Sequence, residues 1–550
     1  MTESVKILAL RLLNEFGAHI AAQLMLLHYN GDRSTGFYYF DRTGGPRGFT
    51  GLNGAAFLGI VEIVVAMLEM KEWDVNASDS TGNTALIWAA RRGSEAVVKI
   101  LLERADVNPD QADGKYGRTP LSWAAGIGHE GVVKILLGRE EVNPDQEDSR
   151  PGWKPLSWAA CNGREGVVKM LLGREGVVPN QADGGDGRTP LSRAAGNGHE
   201  GVIRILLERE GLNPDQADRR YGRTPLWWAA GNGHEGIVKI LLALEDVDPD
   251  KPDTEYGRTP LSRAAESGHE GVVRMLLARK YVNPGQADTE YGRTTLSWAA
   301  RHGHQGVVKM LLQREEVDPN QADIRDGQTP LSQAASSGYE GVVKMLLERE
   351  GVNPNLADNK YGCPPLSWAA ARGHEGIVRI LLEQKGVNPH HADTEYDRTP
   401  LSWAARHGHE RIVKILLERK DVRTDIRDAN NQTPLSLALS RGHRRVVRLL
   451  SERGNANPDI ADHGSQVSRP LPTNRTTPST QPSSLPQPPS MLPSKFWYYL
   501  SKTAAPPNNT RSTLPIAANR HFIIASFVCV LAFLICILPS SSQGIFSFRK

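Results

Sequence analysis

The sequence predicts an all-α solenoid, a stack of helix pairs. Three observations predict it: a recurring motif, an apolar stripe at helical spacing, and a polar connection of nearly constant length. The motif is Thr-Pro-Leu-Ser-Trp-Ala-Ala or a close variant. Its first position falls at Thr50, Thr84, Thr119, Lys154, Thr189, Thr224, Thr259, Thr294, Thr329, Pro364, Thr399 and Thr433, in steps of 34, then 35 nine times, then 34. Units of this length are too small to bury a core alone, so they stack and each packs on its neighbours.

One unit, residues 117–144, justifies each element in order. Thr119 is a good N-cap, and Pro120 fits the first helical position, where no backbone donor is needed. The first helix carries Leu121, Ala124 and Ala125 inward, and the alanines admit a close neighbour. Gly126-Ile127-Gly128 ends it. A second helix begins near His129, with Glu130 in its first turn facing the positive dipole end. Val132, Val133, Leu136 and Leu137 form one apolar stripe while Lys134 points to water. Asn143-Pro144 stops the helix, and a connection rich in Gly, Asp and Pro reads as a hairpin finger.

Helix, turn, helix and finger, with Thr-Pro-Leu-Ser-x-Ala or a close variant in each unit, resemble the ankyrin repeat across residues 50–462. The resemblance implies a groove lined by the first helices and the fingers, and a function in protein recognition. Two departures stand out. Ser122 and its equivalents replace a signature histidine that ties neighbouring loops together in the family. The repeat exceeds the usual 33 residues, and Glu141, Asp246 and Tyr281 lie where a glycine normally ends the second helix. The wording Gly-Arg-Thr-Pro-Leu-Ser-Trp-Ala-Ala … Gly-His-Glu-Gly-Val-Val-Lys also looks like arrays in fungal receptor-type proteins that carry a NACHT nucleotide-binding module. No Gly-x-x-x-x-Gly-Lys-Ser/Thr loop occurs here, so the sequence is expected to act as a sensor arm without that module's activity.

Residues 1–49 are expected to form a helical cap, with Val5, Leu8, Leu12, Phe16 and Ile20 on one face. The last unit reads as the opposite cap, since Leu439 replaces a small alanine and Arg444, Arg445 and Arg448 make its outer helix polar. Residues 463–521 are rich in Pro, Ser and Thr and are read as a disordered basic linker. Phe522 to Leu538 is an uncharged run of seventeen residues, followed by a short tail at 539–550. At about 1.5 Å per residue it reaches about 26 Å, which suits a thin bilayer such as that of the endoplasmic reticulum. It is expected to be a single transmembrane helix and tail anchor, with the repeats facing the cytosol.

The 550 residues carry a net charge of +3, and four cysteines argue against a disulfide framework. From His463 to Lys550 there are eight of the 65 basic residues and no acidic one, leaving 57 basic against 62 acidic in the rest. That balance argues against nucleic acid as the partner of the array. The recurring histidines (His129, His199, His234 and their equivalents) are too far apart to share a zinc ion and read as helix-start residues. Neither a catalytic constellation nor a cofactor or small-molecule substrate site emerges, so the chain reads as a non-enzyme.

The most variable motif position follows the Ser. It is Trp88, Trp123, Trp158, Arg193, Trp228, Arg263, Trp298, Gln333, Trp368, Trp403 and Leu437 in successive units. Because Arg and Gln are accepted, the position is expected to be at least partly exposed, since an unpaired buried charge costs several kcal/mol. Trp and Arg dominate binding hot spots. Trp123, Trp158, Arg193, Trp228, Arg263, Trp298, Trp368 and Trp403 are therefore the candidate partner-binding residues, and their alternation predicts cation–π contacts between neighbours. The function expected is a protein–protein scaffold or adaptor at a membrane surface; the alternative is the sensor arm of a receptor system with a separate NTPase.

Overall fold

The structure, a computed structural model, describes residues 50–70, 74–149 and 151–454. Among the described residues twenty-four helices, seven to eleven residues long, follow one another in pairs from Gly51–Leu58 and Val61–Glu69 to Pro434–Ser440 and Arg444–Gly454. Among the described residues there is no strand, only one bridge between Ala287 and Thr294. The cap helix, linker and apolar run read from residues 1–49, 463–521 and 522–538 lie outside the described residues. No helix among the described residues is long and apolar enough to cross a membrane.

Each pair is made as its sequence dictates. Thr119 caps the helix Pro120–Ile127 by accepting the Ser122 amide at 3.2 Å. Gly128 closes that helix at φ +99, a left-handed conformation that favours glycine. The outer helix Glu130–Leu137 then buries Val132, Val133 and Leu136 completely. Lys154 and Pro364 stand where the other units have threonine and supply no side-chain cap. Lys154 instead pairs with Asp145.

The core is one continuous layer, with Leu121, Ala124 and Ala125 and their equivalents fully buried in unit after unit. The inner helices pack more closely on one another than the outer ones do, because alanine pairs face alanine pairs. Glycine at the second outer-helix position has a matching role. A Cβ on Gly166 would lie 1.9 Å from Oε1 of Glu130, so the glycine makes room for the previous unit's carboxylate at a helix N-terminus. Where Arg411 and Arg445 replace that glycine, they pair with Glu375 and Glu410 at 3.5 and 3.3 Å.

The fingers are tied in a ladder. The Ser149 amide donates to the Tyr116 carbonyl at 2.7 Å, and Thr254, Thr289, Ile324, Thr394 and Ala429 repeat the bond at 2.8 Å. At the other edge of the fingers, the Asn143 amide donates to Asp110 at 2.7 Å and the Asn388 amide to Asn355 at 3.0 Å. The histidine missing from the motif is thus not needed for loop registration. His129 approaches the Arg91 carbonyl at 3.1 Å, and six later histidines from His199 to His409 repeat this link to the preceding inner helix.

Candidate partner-binding groove

The groove between inner helices and fingers is organised around one aspartate per finger. Asp113 closes its hairpin with a backbone bond from its amide to the Arg118 carbonyl at 2.9 Å. Its Oδ1 accepts the amides of Lys115 and Tyr116, and its Oδ2 accepts the indole N–H of Trp123 at 2.9 Å. Asp148, Asp218, Asp288, Asp358 and Asp393 bind Trp158, Trp228, Trp298, Trp368 and Trp403 in the same way at 2.8–3.2 Å. The arrangement brings two candidate classes together, finger turns and the variable helix position. The carboxylates are buried, Asp183 fully and Asp113 at 4% exposure.

This arrangement corrects the expected exposure of the variable position. Trp123, Arg193, Trp298 and Gln333 are buried, at 4, 6, 5 and 1% exposure. Trp158, Trp228, Arg263, Trp368 and Trp403 are half-buried. A buried charge is accepted because it is paired. Arg193 donates through Nε to Asp183 at 2.9 Å, and Gln333 donates to Asp323 at 2.8 Å. What the position requires is a long side chain ending in an N–H, and Trp, Arg and Gln all provide one. Arg263 departs from the rule by turning to Glu266, and the Arg223 guanidinium of the preceding finger approaches Asp253 at 3.6 Å instead. In the last unit Leu437 has no donor, and Arg398 serves Asp428 at 3.1 Å.

Among the described residues no cation–π contact joins neighbouring variable positions as expected; the rings stack with other cations, and Arg193 and Arg263 lie over Trp153 and Trp227. In three units the guanidinium before the Thr-Pro pair stacks on the ring of the next unit: Arg118 on Trp158 at 3.5 Å, Arg188 on Trp228 at 3.4 Å, Arg258 on Trp298 at 4.2 Å. One unit reverses the roles. Trp153 takes the cation's place, Arg193 takes the ring's, and the two stack at 3.6 Å. Burial pushes the Asp183 carboxyl up to about 6 even though Ser157 and Arg193 hold it by hydrogen bonds.

A cavity of about 370 Å³ opens into the groove, lined by Arg301, Ser336, Ser337, Trp368 and Arg372 of the inner helices and by Asp326, Gln328, Lys360 and Tyr361 of the fingers. Among the described residues no cluster of three or more His, Cys, Asp or Glu is placed to hold a metal ion. The aspartates were not singled out in the sequence, although a signal was there: an Asp recurs ten residues before the variable position, as in Asp113/Trp123 and Asp183/Arg193.

The family model described as "Ankyrin repeats (3 copies)" matches residues 15–113, 105–183, 166–253, 243–323, 315–393 and 385–462. These segments together run from residue 15 to 462 of the 550 and include part of the segment read as the N-terminal cap. The chain belongs to the ankyrin repeat family.

Proposed function

We propose that the chain is a protein–protein scaffold that grips its partners in the groove between inner helices and fingers and is held at a membrane by its C-terminal run. The observation that carries the reading is the groove itself, a cavity walled by half-exposed Trp368 and charged side chains on pre-ordered helices and fingers. Aromatic side chains with two rotatable bonds lose little freedom when a partner arrives, which is what a hot spot requires. Tethering at Phe522–Leu538 concentrates the groove near other membrane proteins. The surface offered is the half-buried part of the row, Trp158, Trp228, Arg263, Trp368 and Trp403; Trp123, Arg193 and Trp298 hold it in place.

Affinity capture with the full chain and with a Trp228→Ala/Trp403→Ala variant tests the reading. Partners retained by the first and lost by the second, at equal helical signal, support it. Identical captures refute it. Extraction of membranes at alkaline pH tests the tether: release of the full chain into the soluble fraction would sink it. The wording of the repeats supports a second reading, a sensor arm working with a separate NTPase, and a ligand-dependent oligomer would favour it.

A further inference from the structure

We propose that the groove of the C-terminal units is a cationic seat for an acidic, extended protein segment whose carboxylates recur at about every third residue. The proposal rests on the groove-recognition reading above and names the partner's chemistry. The last turns of three successive inner helices line the cavity of this groove, through Arg301, Ser336 and Ser337, and Arg372. The four inner helices from Pro120–Ile127 to Pro225–Gly231 fill their final two positions with Gly, Ile, Ala, Cys or Asn, all uncharged. Of the five from Thr295 onward, four place cations there or at the adjoining cap (Arg301 and His302, Arg372, Arg406 and His407, and Arg441), the unit between Arg301 and Arg372 has Ser336 and Ser337, and none has an acid.

These charges are largely unanswered. Arg301, Arg372 and Lys360 border the cavity, where Asp326 is the one acidic residue of the lining, and Asp326 pairs with Lys360 at 3.2 Å. Among the described residues no carboxylate lies within ion-pair distance of Arg301, Arg372, Arg406 or Arg441. Burial and then the neighbouring Arg398 and Arg441 hold the Arg406 guanidinium below its ordinary value, so the cations stand close enough to repel. A polyanion relieves that repulsion and gains from it.

The choice of occupant follows from charge and spacing. Residues 463–550 contain no acidic residue, so the chain's own tail does not fit. Outside that tail, 57 basic against 62 acidic residues disfavour a long nucleic acid, whose phosphates would meet a net negative body. Helices packed about 8–10 Å apart set the cationic steps at that spacing, with the serine unit between Arg301 and Arg372 as the one step left uncharged. An extended chain advances about 3.3–3.6 Å per residue, so one carboxylate in three keeps step with the units.

Fluorescence anisotropy on the purified full chain in detergent tests this, with labelled thirteen-residue peptides carrying five glutamates. One peptide places a glutamate at every third position among Gly and Ser; a second groups the five together; a thirteen-nucleotide oligothymidylate is the third probe. The spaced peptide is expected to bind about tenfold tighter than the grouped one. An Arg301→Gln/Arg372→Gln/Arg406→Gln variant with unchanged helical signal should lose about tenfold in affinity, and exposed Arg372→Gln alone about threefold. Any contribution of the basic tail is common to all the chains compared. Equal binding of the two peptides, undiminished binding by the variants, or tighter oligothymidylate binding with the same variant sensitivity would each overturn the proposal. Partner capture lost in Trp228→Ala/Trp403→Ala but intact in the triple arginine variant would overturn the cationic seat and leave groove recognition standing.

Discussion

A carboxylate sealed from water needs donors for both of its oxygens, and most fingers of this protein, that of Asp113 for example, supply them from two directions. Turn amides serve one oxygen and a side-chain N–H from the following helix serves the other. The amino acids tolerated at that helix position follow from the bond. Their spread from Trp to Arg to Gln reads in a sequence as exposure, because hydrophobicity scales separate these residues; only the position of the aspartate shows that they share a donor. At Trp298, replacement by Gln should therefore cost less than replacement by Leu, which leaves the Asp288 oxygen unserved, by about 1–3 kcal/mol in chemical unfolding. Equal losses would contradict the shared-donor rule. Trp298→Ala adds a cavity and should cost about 3–5 kcal/mol, so this buried tryptophan is unsuited to testing partner contacts. Asp183 gives a pH signature. Its folded value of about 6 lies above the unfolded value of about 3.9, so its ionisation opposes folding. That cost is absent below about pH 4, grows through the interval and is complete above about pH 6. The melting temperature of the wild type relative to Asp183→Asn should rise on going from pH 7 to pH 5; a pH-independent difference would contradict this.

At the scale of elements, the helices were legible because threonine caps, alanine pairs and apolar stripes act locally. Gly128, for instance, ends its helix where the motif places it. The pairing of side chains between units was not legible, because it joins residues forty positions apart. Arg188 stacks on Trp228, while Trp153 and Arg193 make the same contact in reverse. Trp228→Arg should destabilise the chain by setting two guanidinium groups against each other. Adding Arg188→Trp should recover about 1 kcal/mol of that loss, read as the coupling term of a double-mutant cycle. Absence of coupling would mean that the stacking contributes nothing. The fingers allow a further check. Asp397 occupies the place of Gly362 and is held at φ +54 where glycine adopts +66. Asp397→Gly should raise stability by about 1 kcal/mol in denaturant titration, because an L-residue in this region carries a steric cost.

At the scale of the molecule, the periodicity announced the stack and the family, and the charge imbalance along the groove was equally open to reading. What the sequence concealed was which side chains are covered, since coverage depends on the neighbouring unit. Removing residues 294–328 joins equivalent positions of two units and should give a folded chain with two helices fewer; loss of cooperative unfolding would contradict the nearest-neighbour account. The central claim is that partners are held on the groove side. Hydrogen exchange of the full chain, alone and with a captured partner, tests it most directly. The account predicts slowed exchange at the inner-helix ends around Arg301, Arg372 and Arg406 and in the fingers around Lys360, with the outer helices unchanged. Protection confined to outer helices such as Gln305–Leu312 and Glu340–Glu348 would contradict it.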